Sequence, residues 1–196
     1  MKWFGLTGGL GCGKSLVTEI IRRCGYPVVD ADRIVHHLYD TDLDLQMALS
    51  KTFGLDIFDN GKVVRGRLVD IIKSDISKKK ILESLIHPKV SAKVDEIKAR
   101  LERNKAKMAF YDIPLLFENN LDAKFDATIF INAPAEMVYQ RLAARNAWTK
   151  EEVNVRQSWL LSNKEKSKRA TYVIENDGSI SMLEEKVEHL LEELVK

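Results

Sequence analysis

The sequence predicts an α/β fold in which a five-stranded parallel sheet is flanked by helices. Three observations support this prediction. Five apolar segments have the composition of buried strands, helical patterns separate them, and a glycine-rich loop joins the first strand to the first helix. Because strands that alternate with helices form βαβ units, we expect the strands to lie parallel within one domain of 196 residues.

The first predicted strand, KWFGLTG at residues 2–8, leads into a phosphate-binding loop. Residues 8–15, GGLGCGKS, match G-x-x-x-x-G-K-[ST] at every fixed position and are called the phosphate loop below. Glycines let successive backbone N–H groups point at one anion, and the following helix N-terminus adds to the attraction. In this motif Lys14 reaches the β- and γ-phosphates and the Ser15 hydroxyl binds Mg²⁺. The loop therefore predicts binding of a nucleoside triphosphate.

The first helix follows the phosphate loop, and four further strands follow that helix. Val17, Ile20, Ile21 and Cys24 recur at helical spacing, and Gly25 stands where a glycine commonly ends a helix. The later strands are predicted at residues 27–32, 107–114, 125–132 and 170–177.

The long interval between the second and third strands predicts an inserted lobe. About 75 residues with helical patterns and no clear strand lie there, far more than one crossover needs. Such a lobe beside a phosphate loop is placed to bind a second substrate. The predicted sub-regions are a nucleotide-binding core at 1–32, 105–135 and 170–196, a helical acceptor-binding lobe at 33–104 and a helical lid at 136–169.

The predicted lid carries positive charge. Arg141 and Arg145 share one helix face, and the run NKEKSKR at 163–169 is strongly basic. These charges either meet a transferring phosphoryl group or simply form a solvated face. Two capping boxes are also predicted, one at Thr149 with Glu152 and one at Ser181 with Glu184.

The composition is that of an ordinary cytoplasmic protein. Hydrophobic residues make up 45 % and charged residues 31 % of the chain, and the net charge is +2. This charge argues against general attraction to nucleic acid, and we expect no nucleic-acid partner. Cys12 and Cys24 are too few for a disulfide framework, and no apolar run approaches a membrane span, so we expect no membrane association. The oligomeric state is left open.

The class of phosphate-loop protein follows from what surrounds the loop. The guanine-reading N-K-x-D pattern of GTP switches is absent, because NKEK at 163–166 lacks the aspartate, and no strand carries D-x-x-G. A small-molecule kinase needs a group that orients the acceptor hydroxyl. Asp30 and Asp32 end the second strand at the edge where open α/β sheets bind ligands, and either could serve; alternatively, Asp32 only caps the next helix.

Five segments together resemble the dephospho-coenzyme A kinase family. They are LTGGLGCGKS, VVDAD, LIHPKV, DIPLLFE and ATYVIENDG, in this order and spread from Phe4 to Gly178. The resemblance implies a P-loop kinase fold and transfer of the ATP γ-phosphoryl group to the ribose 3′-hydroxyl of dephospho-coenzyme A, with Mg²⁺. That reaction is the last step of coenzyme A synthesis. The alternatives are another small-molecule or nucleoside-phosphate kinase, or a regulatory module that only binds ATP.

The resemblance also implies roles for individual residues. Asp32 is the catalytic base, supported by Lys14 and Arg141, and Asp30 is an additional carboxylate. From the residues alone, the pair His87-Pro88 marks only a helix boundary, with Pro88 at the first position of the next helix. The residues implied to bind ATP are Gly9, Gly11, Cys12, Gly13, Lys14, Ser15, Leu16, Arg141, Arg145, Asn176 and Gly178. Those implied to bind the acceptor are Asp30, Asp32, Arg65, His87, Pro88, Leu115, Leu116, Glu118 and Arg156.

Asp112 and three departures from the family pattern complete the prediction. Asp112 ends the third strand after an apolar run, so it is a candidate magnesium ligand together with Ser15. Leu16, Leu160 and Thr171 stand where the family commonly has a hydroxyl residue, glutamine and aspartate. Lid closure over bound ATP is expected, because water must be excluded from the transferring phosphoryl group.

Overall fold

The computed structural model describes all 196 residues, and its backbone contacts divide the chain into two units. The first unit comprises Met1–Val29 and Leu101–Lys196, and the second comprises Asp30–Arg100. No helix in the chain has both the length and the apolar character that crossing a bilayer requires.

A five-stranded parallel sheet is present, as predicted. Its strand order is β2-β5-β1-β6-β7, so β1, which precedes the phosphate loop, lies at the centre. Leu6 of β1 is in register with Asp112 of β5 and with Ile129 of β6. The strands are β1 (Lys2–Gly8), β2 (Val28–Asp30), β5 (Met108–Asp112), β6 (Ala127–Asn132) and β7 (Tyr172–Glu175).

The position of each strand explains its burial. β1 and β6 each contain an unbroken run of buried residues, as expected where helices cover both faces of a parallel sheet. The edge strand β7 is less buried, with only Ile174 fully inside. Leu6, Phe110 and Phe130 are completely buried, and burial of each such side chain contributes about 1.5–3 kcal/mol.

Five helices belong to the first unit, and the end of α1 matches the prediction. Gly25 has a φ of 86°, a left-handed conformation that suits glycine. The Tyr26 amide donates to the Ile21 carbonyl at 3.2 Å and the Gly25 amide donates to Arg22 at 3.0 Å, which forms a Schellman motif. These helices are α1 (Lys14–Arg23), α6 (Ala135–Asn146), α7 (Lys150–Ser158), α8 (Asn163–Arg169) and α9 (Ile180–Val195).

One of the two predicted capping boxes is confirmed and the other is wrong. Thr149 and Glu152 form a complete capping box at the start of α7. At α9 the cap is Ser179, whose hydroxyl accepts from the Met182 amide, and not Ser181. Glu184, the expected partner, instead forms an ion pair with Arg23 of α1. Ser181 and Glu184 have the spacing of a capping box, but Ser179 stands two residues earlier and begins the helix, so Ser181 lies inside its first turn.

The second unit is mainly helical. Its interior contains Leu45, Leu49, Ile57 and Leu68, each no more than 2 % exposed. Its elements are α2 (Ala31–Thr41), α3 (Leu43–Phe53), a 3₁₀ turn (Leu55–Ile57), β3 (Phe58–Asp59), β4 (Lys62–Val63), α4 (Arg65–Ser74) and most of α5 (Ser77–Arg103).

A small hairpin in the second unit was missed. β3 and β4 pair antiparallel through an Asn60-Gly61 turn in which both residues have positive φ values, 47° and 75°. Asn-Gly is a strong signal for such a turn. Each strand has only two residues, which is too short to show the alternating pattern of a strand between the helical patterns on both sides.

The boundary predicted at Pro88 is wrong, because Pro88 lies inside one continuous helix. α5 runs unbroken for 27 residues from Ser77 to Arg103. A proline inside a helix loses one backbone hydrogen bond, at a cost of about 3 kcal/mol. The next residue, Lys89, forms an ion pair with Asp42 at 2.9 Å, so contacts to the α2–α3 junction hold the helix at this point.

Candidate active site

The phosphate loop lies between β1 and α1 and leaves the start of α1 open. Gly11 and Gly13 have φ values of 68° and 92°, which a side chain at either position would oppose. A Cβ atom at Gly13 would also collide with the amide nitrogen of Asn176. Gly13 is the N-cap of α1 and no side chain caps this helix. Its first-turn N–H groups are therefore available to an anion.

Lys14 and Asp112 form an ion pair at the carboxyl end of the sheet. Asp112 is the last residue of β5, next to the strand that feeds the phosphate loop, and its side chain is 7 % exposed against 21 % for Lys14. The carboxylate holds the ammonium group beside the loop. Both the predicted phosphate-binding lysine and the predicted metal-binding acid are therefore in one place.

The carbonyl of Cys12 joins the phosphate loop to two distant residues. The Asn176 side-chain amide, which is buried, donates to this carbonyl at 2.8 Å. Arg141 donates to the same carbonyl at 3.4 Å and to the Asn176 side-chain oxygen at 3.3 Å. Burial raises the pKa of the Cys12 thiol, so this side chain remains a protonated, packed group within the loop.

The other residues that the resemblance assigned to ATP lie around this loop and the lid. Leu16 packs half-buried against the core, which accounts for its apolar character. Arg145 is exposed and donates to Asn146 at 2.9 Å. Gly178 lies in the turn before α9, where a Cβ atom would stand 2.7 Å from the sulfur of the Met182 side chain. Gly9 is closely packed, because a Cβ atom would stand 3.0 Å from the side-chain oxygen of Asn163.

The segment after β5 places its side chains in different environments. Leu116 is fully buried. Its Cδ1 atom packs so closely against Gly5 that a Cβ atom at Gly5 would stand only 2.6 Å from it. Leu115 is 36 % exposed. The Glu118 carboxylate forms an ion pair with Lys166 of α8 at 2.7 Å. Arg156 of α7 lies with its guanidinium 4.0 Å from the centre of the Trp148 ring, a cation–π contact.

In the second unit, Asp30 and Asp32 occupy distinct positions. The Asp30 side chain caps α2 by accepting from the Arg33 amide at 3.0 Å. The alternative that Asp32 caps this helix is therefore wrong. Asp32 is exposed in the first turn of α2, and its carboxylate makes no hydrogen bond or ion pair.

The remaining residues predicted to bind the acceptor are in the same unit. Arg65, the first residue of α4, donates to the ring of His36 on α2. His87 and Pro88 are exposed near the middle of α5. These residues offer a guanidinium and an imidazole, which are groups that bind anionic or hydroxyl-bearing ligands.

Comparisons with known proteins identify the family. The sequence model of the dephospho-CoA kinase family matches residues 2–182. The chain belongs to the dephospho-CoA kinase family. A dephospho-CoA kinase of Lactobacillus johnsonii is 36 % identical to it over 196 residues, which covers 99 % of each chain.

Two solved structures are similar to this member of the dephospho-CoA kinase family over nearly its full length. A Thermus thermophilus protein superposes with a TM-score of 0.85 at 35 % identity, covering 98 % of this chain and 97 % of its own. A dephospho-CoA kinase from Campylobacter jejuni superposes with a TM-score of 0.76 at 29 % identity, covering 100 % and 98 % of the two chains. The likeness to family members therefore extends over nearly the full chain.

Three residues of this family member that sequence reasoning missed hold α8 in place. Lys166 is only 1 % exposed although it lies in the basic run that looked like a solvated face. Arg169 donates to the Phe117 carbonyl at 2.9 Å, and Asn163 donates to Asn132 at 2.9 Å. The run NKEKSKR contains no signal for which of its cations is buried, because too few apolar residues accompany them to define a face.

Proposed function

We propose that this protein transfers the γ-phosphoryl group of ATP to the ribose 3′-hydroxyl of dephospho-coenzyme A, which completes coenzyme A. The full-length family match carries the proposal, because a phosphate loop alone predicts the nucleotide but not the acceptor. The free thiols of Cys12 and Cys24 suit the reducing cytoplasm, where we propose that the reaction takes place.

The residues of the phosphate loop fit the triphosphate of ATP. The uncapped first turn of α1 provides backbone donors, and the left-handed φ values of Gly11 and Gly13 allow the loop conformation that presents them. Lys14 would exchange its contact with Asp112 for the β- and γ-phosphates. Arg141 and Arg145 would add positive charge from the lid.

The donor set at the loop also fits magnesium. Ser15 supplies a hydroxyl and Asp112 a carboxylate, and Mg²⁺ is usually held by one or two protein oxygens together with substrate phosphates. When bound, the ion would neutralise charge that develops on the transferring phosphoryl group. Before ATP binds, Asp112 would keep Lys14 close to the loop.

Asp32 is the residue that we assign as catalytic base. Because Asp30 is already engaged as the cap of α2, its neighbour Asp32 has the carboxylate that is available to a ribose hydroxyl. A ribose hydroxyl is a weak acid, so the carboxylate would accept its proton late in the transfer or orient the lone pair of the hydroxyl oxygen toward the phosphoryl group. Asp30 would help by fixing the first turn of α2, on which Asp32 stands.

The acceptor would be bound mainly by the helical lobe at 33–104. Arg65 and His87 are suited to its phosphate and hydroxyl groups, and we assign Pro88, the residue after His87 on α5, to the same site. We assign Leu115 and Leu116 to the apolar wall of the acceptor site, with Glu118 behind them. Arg156 of the lid would cover the reacting groups.

An acceptor panel with a matched variant tests the proposal. ATP consumption is measured with dephospho-coenzyme A, adenosine, AMP and shikimate as separate acceptors. We expect turnover only with dephospho-coenzyme A, and we expect Asp32→Asn to abolish it while the Kd for ATP stays within about twofold. Turnover with another acceptor would indicate a different small-molecule kinase. ATP binding without turnover on any acceptor would indicate a module that only binds the nucleotide.

A further inference from the structure

A buried ion pair connects the base of the lid to the segment after β5. The Lys166 ammonium lies 2.7 Å from Oε1 of Glu118, and the two side chains are 1 % and 16 % exposed. Because Lys166 is buried against Glu118, neither of the two functions considered for the basic run, contact with a phosphoryl group or a solvated face, applies to it. Burying two charges is costly, and replacing such a pair by apolar residues is often neutral or stabilising. Stability alone is therefore a weak reason for this pair.

The Glu118 carboxylate also holds the backbone between two lid helices. The Leu161 amide donates to Oε1 of Glu118 at 3.3 Å, and Leu161 lies in the short connection from α7 to α8. The other oxygen, Oε2, is buried and no protein donor reaches it. One carboxylate oxygen of Glu118 thus binds both the Lys166 ammonium and the Leu161 amide.

Further contacts fix α8 itself on the core of the first unit. Arg169 donates to the Phe117 carbonyl at 2.9 Å and forms an ion pair with Asp122 at 2.7 Å. At the other end of α8, Asn163 donates to Asn132 at the end of β6 and packs against Gly9 of the phosphate loop. Both ends of α8 are thus attached to elements that do not belong to the lid.

The helix before this connection has space beside it. A cavity of about 410 Å³ is lined by Leu10 of the phosphate loop, by Val138 of α6, by Gln157 near the end of α7 and by Leu161 of the connection. Ala147, which ends α6 shortly before α7 begins, has a left-handed conformation with a φ of 55°. α7 is joined mainly to α6, since the Tyr139 hydroxyl donates to Asn154 at 2.7 Å and Lys150 forms an ion pair with Glu136 at 2.9 Å. The cavity therefore separates α7 from α8, and α7 does not depend on α8 for these contacts.

We propose that Glu118 and Lys166 are positioning residues that hold Leu161 in place, so that the lid closes by motion of α7 while α8 stays fixed. This inference rests on the proposed function. With the connection fixed beside Leu10, the closing helix brings Arg156 to one defined place over the phosphate loop and excludes water. Without the pair, the lid closes imprecisely, so that ATP is hydrolysed by water while transfer to the acceptor falls.

A double substitution separates positioning from stability. Glu118→Met with Lys166→Met keeps the buried volume and removes both charges together with the acceptor for the Leu161 amide. We expect a thermal midpoint near that of the wild type, about a 10- to 100-fold loss of transfer and a raised ratio of acceptor-independent ATP hydrolysis to transfer. Each single substitution leaves one buried charge unpaired and should lower the thermal midpoint.

The matched control removes an exposed ion pair that also joins two elements. Arg23→Gln with Glu184→Gln breaks the pair between α1 and α9, and it should leave the ratio of hydrolysis to transfer unchanged. A double methionine variant with the wild-type ratio and the wild-type KM for the acceptor would show that the buried pair only stabilises the fold. That outcome would overturn the inference.

Hydrogen exchange on the unaltered protein tests the same inference without any variant. A non-hydrolysable ATP analogue should slow exchange in residues 150–158 and leave residues 163–169 unchanged. Equal slowing in both segments would overturn the fixed position of α8. Failure of the proposed function can be distinguished from failure of this inference. If the wild-type protein transfers nothing to dephospho-coenzyme A, the proposed function is wrong. The exchange rates test the lid through nucleotide binding alone and need no transfer.

Discussion

Asn176 shows how one buried side chain determines the shape of the phosphate loop. Its amide donates to the Cys12 carbonyl, and its nitrogen occupies the space that a side chain at residue 13 would need. The backbone amide of Asn176 in turn donates to the Asn132 carbonyl at 2.8 Å. The end of the sheet thereby holds the loop in the conformation that presents its N–H groups.

Replacement of Asn176 by alanine should weaken ATP binding. Loss of a hydrogen bond to a buried carbonyl costs about 1–3 kcal/mol, so we expect the Kd for ATP to rise by about 5- to 100-fold. Isothermal titration with ATP measures this change. Asn104→Ala, at an exposed position beyond α5, is the control and should bind ATP like the wild type. An unchanged Kd for Asn176→Ala would contradict this role.

Sequence patterns predict the residues of the loop but not those that support it. Gly11, Gly13, Lys14 and Ser15 stand at fixed positions of a motif whose chemistry is local, so their roles follow from their order in the chain. Lys166 becomes buried only because Glu118, far away in the sequence, ends beside it in the fold. No local pattern contains that information.

At the scale of elements, α5 shows where a strong local signal gives the wrong boundary. Proline usually ends or begins a helix, which predicted two helices that meet at Pro88. The helix continues because Pro88 removes only one backbone hydrogen bond, and those of the turns before and after it remain. In addition, the ion pair of Lys89 with Asp42 holds the helix next to the proline. The Asn60-Gly61 hairpin shows the reverse, a correct local signal that was not used. The turn signal is present in the sequence, but the two-residue strands show no strand pattern that would support a hairpin.

Replacement of Pro88 by alanine should stabilise α5. Alanine restores the N–H that the carbonyl of Ser84 lacks, and an interior proline costs about 3 kcal/mol, so we expect a higher thermal midpoint by circular dichroism. Ser91→Ala, exposed on the same helix, is the control for helix propensity and should raise the midpoint less. A lower midpoint for Pro88→Ala would show that the ring packs favourably at this position.

The ion pair of Asp42 with Lys89 should make stability depend on pH at the acid end. The hydrogen bond from Lys89 and the amide of Leu45 hold the pKa of Asp42 below its usual value. A carboxylate with a lowered pKa in the folded state stabilises the fold above its unfolded pKa of about 4, and this contribution disappears as the pH falls through the folded pKa.

Asp42→Asn keeps a side chain that can cap α3 but removes the charge. We expect its free energy of unfolding to change less than that of the wild type between about pH 5 and pH 2, as measured with urea. Asp70→Asn removes a highly exposed carboxylate that lies 3.7 Å from Lys73, and its curve should follow the wild type. A wild-type acid slope in Asp42→Asn would contradict the assignment.

At the scale of the whole molecule, each of the two units contains residues that we assign to the proposed reaction. Lys14, Ser15 and Asp112 belong to the unit that contains the sheet, and Asp32 and His87 belong to the helical unit. The fold class was predictable because buried strands and helices alternate along the chain. The acceptor was not predictable from periodicity or composition, since only the order and spacing of whole motifs point to dephospho-coenzyme A.

Identification of the product most directly tests the central claim. The protein is incubated with ATP, Mg²⁺ and dephospho-coenzyme A, and the product is analysed by mass spectrometry and by ³¹P NMR. The account predicts a product heavier by one phosphoryl group, with a new phosphomonoester on the ribose 3′-oxygen, which makes it coenzyme A. Unchanged dephospho-coenzyme A, or a phosphoryl group on any other oxygen, would contradict it.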